Sequence, residues 1–233
     1  MEQRSAIITA ASRGMGAACA RELSARGFSL VVMSSSDAVN ALAEEVGAKP
    51  LIGSVTKPGD LQALVSLALD AYGRIDAVVN NTGHPARKDL LALTDEEWMN
   101  GFDLVFLNVV RMTRLVAPIM EKQGGGSIVY ISTLGALEPN LSFPVSSCLR
   151  AGLAAYTKLF ADRFGESGIR INNVLPGFVD SYEVSDDIRA TIPLKREATV
   201  KEIAKTVAFL VSADASYITG QNIRVDGGQG RSL

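Results

Sequence analysis

The residues with the clearest chemical potential lie near the start of the chain, in the run Thr9-Ala10-Ala11-Ser12-Arg13-Gly14-Met15-Gly16. Small side chains and two closely spaced glycines make a turn whose backbone N–H groups can face an anion. Its flanks give it meaning. Ala6-Ile7-Ile8 reads as a short buried strand and the Ala-rich segment from Ala17 to Arg26 as a helix. A strand that enters a tight turn and opens a helix gathers free N–H groups and the positive end of the helix dipole at one point, which suits a pyrophosphate. Two glycines alone fit an ordinary strand-to-helix connection as well, so the rest of the chain decides.

A second signal follows. After Gly27 closes the first helix, Ser29 to Met33 is an apolar strand of the kind buried in parallel sheets, and Ser34-Ser35-Ser36 stands at its carboxyl end. In a dinucleotide-binding fold the adenosine ribose lies here, and an acidic residue would hydrogen-bond a free 2′-hydroxyl. No acid is present. Three hydroxyls, with Arg13 in the preceding turn, suit a 2′-phosphate, so NADP(H) is expected over NAD.

The elements that must position these groups alternate regularly. A helix from Asp37 to Val46, a strand at Pro50 to Gly53, a helix from Pro58 to Ala71 capped by Thr56, and a strand at Ala77 to Asn80 come first. Thr94-Asp95-Glu96-Glu97 is a capping box for a long helix toward Glu121, broken by Gly124-Gly125-Gly126 before a strand at Ser127 to Ile131. Then come a helix over Ser147 to Phe164, a strand at Arg170 to Val174, an irregular stretch from Pro176 to Arg196, a helix opened by Thr199 and Glu202 and ending near Ser212, and a strand at Asn222 to Val225. This order predicts one α/β domain over residues 1–233: a doubly wound Rossmann-type parallel sheet with helices on both faces and ligands outside the carboxyl ends of its strands.

Composition narrows the partners. The chain is 47% hydrophobic and 21% charged with a net charge of −2, which supports one well-packed domain and gives no basic footprint for nucleic acid. The opening Met1-Glu2-Gln3-Arg4 lacks the apolar run of a signal peptide, and no stretch is long and apolar enough for a bilayer. A cytoplasmic protein with a small-molecule substrate and no membrane partner is expected. Cys19 and Cys148 read as small core residues, and the single His84 cannot build a His-rich metal site.

Four ordered motifs now resemble the short-chain dehydrogenase/reductase family, over about Ser5 to Gly228. Its Thr-Gly-x-x-x-Gly-x-Gly turn is matched by Thr9 to Gly16 with Ala10 for the first glycine; Asn80-Asn81-Thr82-Gly83 resembles its Asn-Asn-Ala-Gly; Asn172 to Gly177 carries its strand-ending Pro-Gly; and Tyr217 to Gly220 with Val225-Asp226-Gly227-Gly228 closes the pattern. The resemblance implies a nicotinamide dinucleotide within a homodimer or homotetramer. It adds Ser54 and Val55 to the cofactor-binding residues, places Asn81, Thr82 and Gly83 near the adenosine ribose, and sets Pro176, Gly177 and Val179 near the nicotinamide. A short segment around 178–197 would cover the substrate.

The family's catalytic set does not carry over. Counted from the motifs in one ungapped register, its serine falls on Thr133, its tyrosine on Ser146, its lysine on Arg150 and its helper asparagine on Val105, with Asn108 one helical turn further on. Thr133 keeps a hydroxyl. Arg150 keeps charge and donors for the nicotinamide ribose, but a guanidinium does not deprotonate. Ser146 is the serious loss, because an aliphatic alcohol is a far weaker acid than a phenol of pKa about 10. The register of the divergent enoyl-thioester reductases puts Phe143 at their tyrosine, so it lacks a phenol too. Tyr130, Tyr156 and Tyr182 are the nearest phenols, and Tyr182 alone sits where a substitute acid would be useful; it and His84 both read first as surface-loop residues.

Three readings follow: an NADP(H) oxidoreductase for a substrate that needs no strong acid, such as an iminium ion or activated alkene; an NADP(H)-binding protein without turnover; and a scaffold subunit. The first is the expectation.

Overall fold

The computed structural model describes residues 3–232. Seven strands, β1 (Ser5–Ile8), β2 (Ser29–Ser34), β3 (Lys49–Ile52), β4 (Ala77–Asn80), β5 (Gly126–Ile131), β6 (Ile169–Pro176) and β7 (Asn222–Val225), form one sheet in the order β3-β2-β1-β4-β5-β6-β7. Every pairing is parallel. The buried runs Ala6-Ile7-Ile8 and Leu30-Val31-Val32-Met33 alternate between the two faces, as the period of a strand requires. Ala6, Ile8, Val32 and Val79 pack on the face covered by α1 (Gly14–Ala25), α2 (Ala38–Val46) and α8 (Val200–Val211). Ile7, Val31, Val78 and Ile128 pack on the face covered by α3 (Pro58–Tyr72), α5 (Asn108–Lys122) and α6 (Pro144–Phe164).

Most expected elements are present with ends displaced by a few residues, and the departures have local causes. Thr56 does not cap α3: Lys57 occupies the N-cap without a side-chain bond, while the Thr56 hydroxyl pairs with Ser54 Oγ at 2.8 Å. The long helix opened by the Thr94–Glu97 capping box is interrupted. After α4 (Asp95–Gly101) the backbone widens into a π-helical turn, Phe102–Leu107, and resumes as α5. The Thr199–Glu202 capping box is present at α8. The stretch from Pro176 to Arg196 is not wholly irregular, because it holds the short α7 (Asp186–Thr191), and its base is closed where Val179 bridges Ala198. Cys19 is buried, but Cys148 is exposed on α6, contrary to the expectation of two core cysteines. Among the described residues no helix is long and apolar enough to cross a membrane.

Candidate functional site

The strand order reverses between β1 and β4, so the turn after β1 and the ends of β4, β5 and β6 border one crevice at the carboxyl edge of the sheet. Thr9 ties its two sides together. Its Oγ1 donates to the Asn81 carbonyl at 2.6 Å and accepts from the Asn81 backbone N–H at 2.9 Å, while the Asn81 side-chain amide donates to the Ala10 carbonyl at 3.2 Å. Gly16 is required by space: a Cβ there would stand 2.3 Å from the Ala10 carbonyl oxygen. Gly14 has φ +56° and Ala10 φ +46°, so the residue that replaces the family's first glycine holds a glycine-like conformation. Arg13 is the N-cap of α1 and offers no side-chain bond to it, and Met15 stands half-buried in the first turn.

At the end of β2, Ser34 Oγ donates to Ser12 Oγ at 2.9 Å, which locks the turn to the neighbouring strand. Ser35, Ser36 and Arg13 are exposed, and the Arg13 guanidinium has no partner among the described residues. Past β3, the Ser54 backbone N–H is held by Asp60 Oδ2 at 2.8 Å, and Val55 is buried.

Among the described residues, three buried hydroxyls lack a hydrogen-bond partner: Thr82 Oγ1 beyond β4, Ser132 Oγ beyond β5, and Ser181 Oγ beyond β6. Ser181 Cβ comes within 3.6 Å of the place a Cβ on Gly14 would take, so the segment after β6 reaches over the turn after β1. Gly83 is exposed beside Thr82, Pro176 ends β6, and the Gly177 N–H donates to the Val225 carbonyl at 3.1 Å. A turn with glycines at 14 and 16, a helix N-terminus, an arginine without a partner among the described residues and a row of orphaned hydroxyls fit a nicotinamide dinucleotide. Ser181 escaped sequence reading because a serine in a loop carries no pattern of its own.

At the far end of the crevice, Arg150 is buried (4% exposed). Its Nε donates to Ser146 Oγ at 3.1 Å, and its Nη1 donates to Tyr130 Oη at 2.7 Å and to the Ile131 carbonyl at 2.9 Å. Thr133 lies half-buried just past β5. Asn108 does not join this group: its amide donates back to the Leu104 carbonyl and its Oδ1 is buried without a partner. Val105, at the helper position, contributes its carbonyl, which accepts from Tyr130 Oη at 3.3 Å. Burial pushes the Tyr130 phenol up, against the opposing influence of Arg150, so it stays protonated. The sequence names Tyr130 among the nearest phenols but gives it no role; its contact with a residue twenty positions on depends on β5 lying beside α6. His84 and Tyr182 meet edge to face with ring centroids 5.2 Å apart, which makes them a pair across the crevice mouth. Burial, then Arg87 and Arg150, hold the His84 imidazole down at about 4.

Fold and site together define a dinucleotide-binding protein of the Rossmann class. A family profile described as enoyl-(acyl carrier protein) reductase matches residues 9–229. The 3-oxoacyl-(acyl-carrier-protein) reductase FabG of Escherichia coli K12 is 33% identical over 237 residues, covering 97% of each chain. The 3-oxoacyl-(acyl-carrier-protein) reductase of Synechocystis is 34% identical over 236 residues, covering 96% of this chain and 95% of its own. Among solved structures, a 7α-hydroxysteroid dehydrogenase complexed with NADH and 7-oxo glycochenodeoxycholic acid superposes with a TM-score of 0.93 at 28% identity, covering 100% of this chain and 96% of that one. A 3-ketoacyl-(acyl-carrier-protein) reductase from Brucella melitensis complexed with NADH gives 0.92 at 26% identity, covering 98% of each. The chain belongs to the short-chain dehydrogenase/reductase family of oxidoreductases.

Proposed function

We propose that the chain is an NADP(H)-dependent oxidoreductase acting on a small organic substrate whose reduction needs no strong acid from the protein, an iminium ion or an activated alkene. The observation that carries this reading is the state of Ser146. Its hydroxyl accepts from the buried Arg150 guanidinium at 3.1 Å, so it stands as a polarised hydrogen-bond donor at the family's tyrosine position without being a proton source at neutral pH. An iminium carbon that accepts a hydride becomes a neutral amine and needs no proton; an alkene conjugated to a carbonyl gives an enolate that water can protonate. Both products suit a site whose contribution is orientation and charge. The matching profile is described as enoyl-(acyl carrier protein) reductase and the relatives as 3-oxoacyl reductases, so enoyl thioesters and ketones are both to be tested.

In this reading Thr9 to Gly16 hold the pyrophosphate, Arg13 with Ser35 and Ser36 takes the 2′-phosphate, Thr82, Ser132 and Ser181 give hydrogen bonds along the cofactor, and Thr133 with Ser146 faces the reacting group. The segment 178–197 covers the substrate, and the chain works as a homodimer or homotetramer. The test is consumption of NADPH and NADH with a panel of cyclic imines, enoyl thioesters and ketones. Turnover of imines or enoyl thioesters with NADPH preferred, and loss of that preference in Arg13→Ala, is expected. Ketone reduction at ordinary dehydrogenase rates refutes the substrate class. Tight NADPH binding without turnover of any substrate identifies a binding protein instead.

A further inference from the structure

Arg150 is a buried cation with no ion-pair partner among the described residues. Its three protein bonds go to a serine hydroxyl, a phenol and a backbone carbonyl. A guanidinium has five N–H groups in one plane. These bonds use the one on Nε and the two on Nη1, and both donors of Nη2 have no partner among the described residues. Because the group is planar, holding Nε and Nη1 also fixes where Nη2 points. One Nη2 donor runs parallel to Nε–H, along the edge that Ser146 Oγ occupies. A ligand oxygen taken by Nη2 therefore lies beside the Ser146 hydroxyl.

The hydroxyl of Tyr130 is what sets this plane. Tyr130 is fully buried on β5, its ring lies under the guanidinium with Arg150 Cζ 5.4 Å from the ring centroid, and its Oη is held between Arg150 Nη1 and the Val105 carbonyl. That carbonyl belongs to the π-helical turn Phe102–Leu107, a kind of turn found frequently at functional sites. The neighbouring Leu104 carbonyl is likewise taken by a side chain, Asn108. The ring alone would fill the same volume; only the hydroxyl couples the turn to the cation.

We infer that Tyr130 is a positioning residue of the site, whose hydroxyl pins Arg150 Nη1 to β5 and aims the two free Nη2 donors beside Ser146, toward the ribose hydroxyls that the family resemblance assigns to position 150. The inference rests on the dinucleotide reading above and assigns Tyr130 no proton transfer.

The test uses Tyr130→Phe, which keeps the ring, in the wild-type and Arg150→Lys backgrounds. Nitrogen-15 NMR of the arginine side chains in the cofactor-free protein gives the first readout: the wild type should show Arg150 Nη1 and Nη2 as separate, slowly exchanging signals, and Tyr130→Phe should average them. Fast rotation in the wild type overturns the inference even if the variant fails to fold. Fluorescence titration with NADPH gives the second. Loss of a charge-assisted positioning bond should weaken binding about tenfold, whereas the same substitution in the Arg150→Lys background should add no further loss, since the two residues act as one unit. Equal weakening in both backgrounds marks a merely structural role and overturns the inference, as does undiminished binding in Tyr130→Phe. A wild type with a pinned guanidinium that binds neither NADPH nor NADH refutes the dinucleotide reading and the inference with it, which is a result distinct from failure of the pinning.

Discussion

Replacing Ala10 by glycine should stabilise the protein, and the size of the effect follows from opposing terms. Ala10 sits at φ +46°, a left-handed conformation that costs an L-residue roughly 1–2 kcal/mol. It cannot relax: its carbonyl is held by the Asn81 amide at 3.2 Å and stands where any Cβ on Gly16 would be, 2.3 Å away. Glycine removes that strain, but it frees the unfolded chain by about 0.4–1 kcal/mol and gives up a half-buried methyl worth about 0.4 kcal/mol, half of a fully buried one. The balance is about 0.5 kcal/mol in favour of Ala10→Gly, a rise in Tm of about 1–2 °C for a chain of this length. A β-branched residue fares worse in the same conformation, so Ala10→Val should fall well below the wild type. The assay is urea unfolding followed through the fluorescence of Trp98, the sole tryptophan, with circular dichroism as second probe. The expected order of midpoints is Gly, then Ala, then Val. A valine variant as stable as the wild type would show that the turn bears no strain at this position, and the reasoning would fail.

Two further expectations concern titration and reactivity. His84 is held down at about 4, below its ordinary value near 6.5, so between about pH 6.5 and 4 the unfolded chain binds more protons than the folded one and stability falls as the pH falls. Glu197 and Glu202, held at about 2 by Arg189 and Arg196 respectively, lose their contribution only below about pH 4.5; the decline in Tm from about pH 7 to 5 therefore belongs largely to His84 and should flatten in His84→Gln, and an unchanged slope would refute the assignment. Burial pushes the Cys19 thiol up to about 12, whereas Cys148 is exposed. One thiol per native chain should therefore react quickly with a chromogenic disulfide at neutral pH, and Cys148→Ser should abolish that reaction; fast labelling of two would contradict the burial of Cys19.

What the sequence made legible was whatever depends on neighbours in the chain. The alternation of strands and helices, the two capping boxes and the small-residue turn are local patterns, and each is present in the fold. The π-helical turn at Phe102–Leu107 was not legible, since no residue type marks a change from one backbone spacing to another within a continuous apolar helix. Ala10 stands in the sequence only as a replacement for the first glycine of the pattern; its left-handed backbone is hidden because alanine gives no warning of it. Helical spacing suggests that Asn108 could reach the side of the helper position; in the fold its side-chain amide donates to the Leu104 carbonyl, one turn back.

On the proposed reading, in which Ser146, Arg150 and Val105 stand at the family's catalytic positions, these residues make more physical sense together than singly. A lysine ammonium is compact and meets donors' partners in any direction, so a single ammonium can turn to whatever surrounds it. An arginine at the same place is larger and planar, and it must find acceptors in its own plane or remain unsatisfied and mobile. Position 150 finds three: Ser146 Oγ, the Ile131 carbonyl and Tyr130 Oη. Had position 146 carried a phenol, a small hydroxyl would not stand beside Nε; had position 130 been aliphatic, Nη1 and the Val105 carbonyl would each lose a partner. Reading Ser146, Arg150 and Val105 as three separate losses therefore misses that a strand residue outside the family's set, Tyr130, joins them. A restoration aimed at the family's own chemistry would have to change Ser146 and Arg150 together, since a guanidinium does not deprotonate and, still held through Nη1 by Tyr130 and the Ile131 carbonyl, keeps a fixed plane that a tyrosine at position 146 would have to meet.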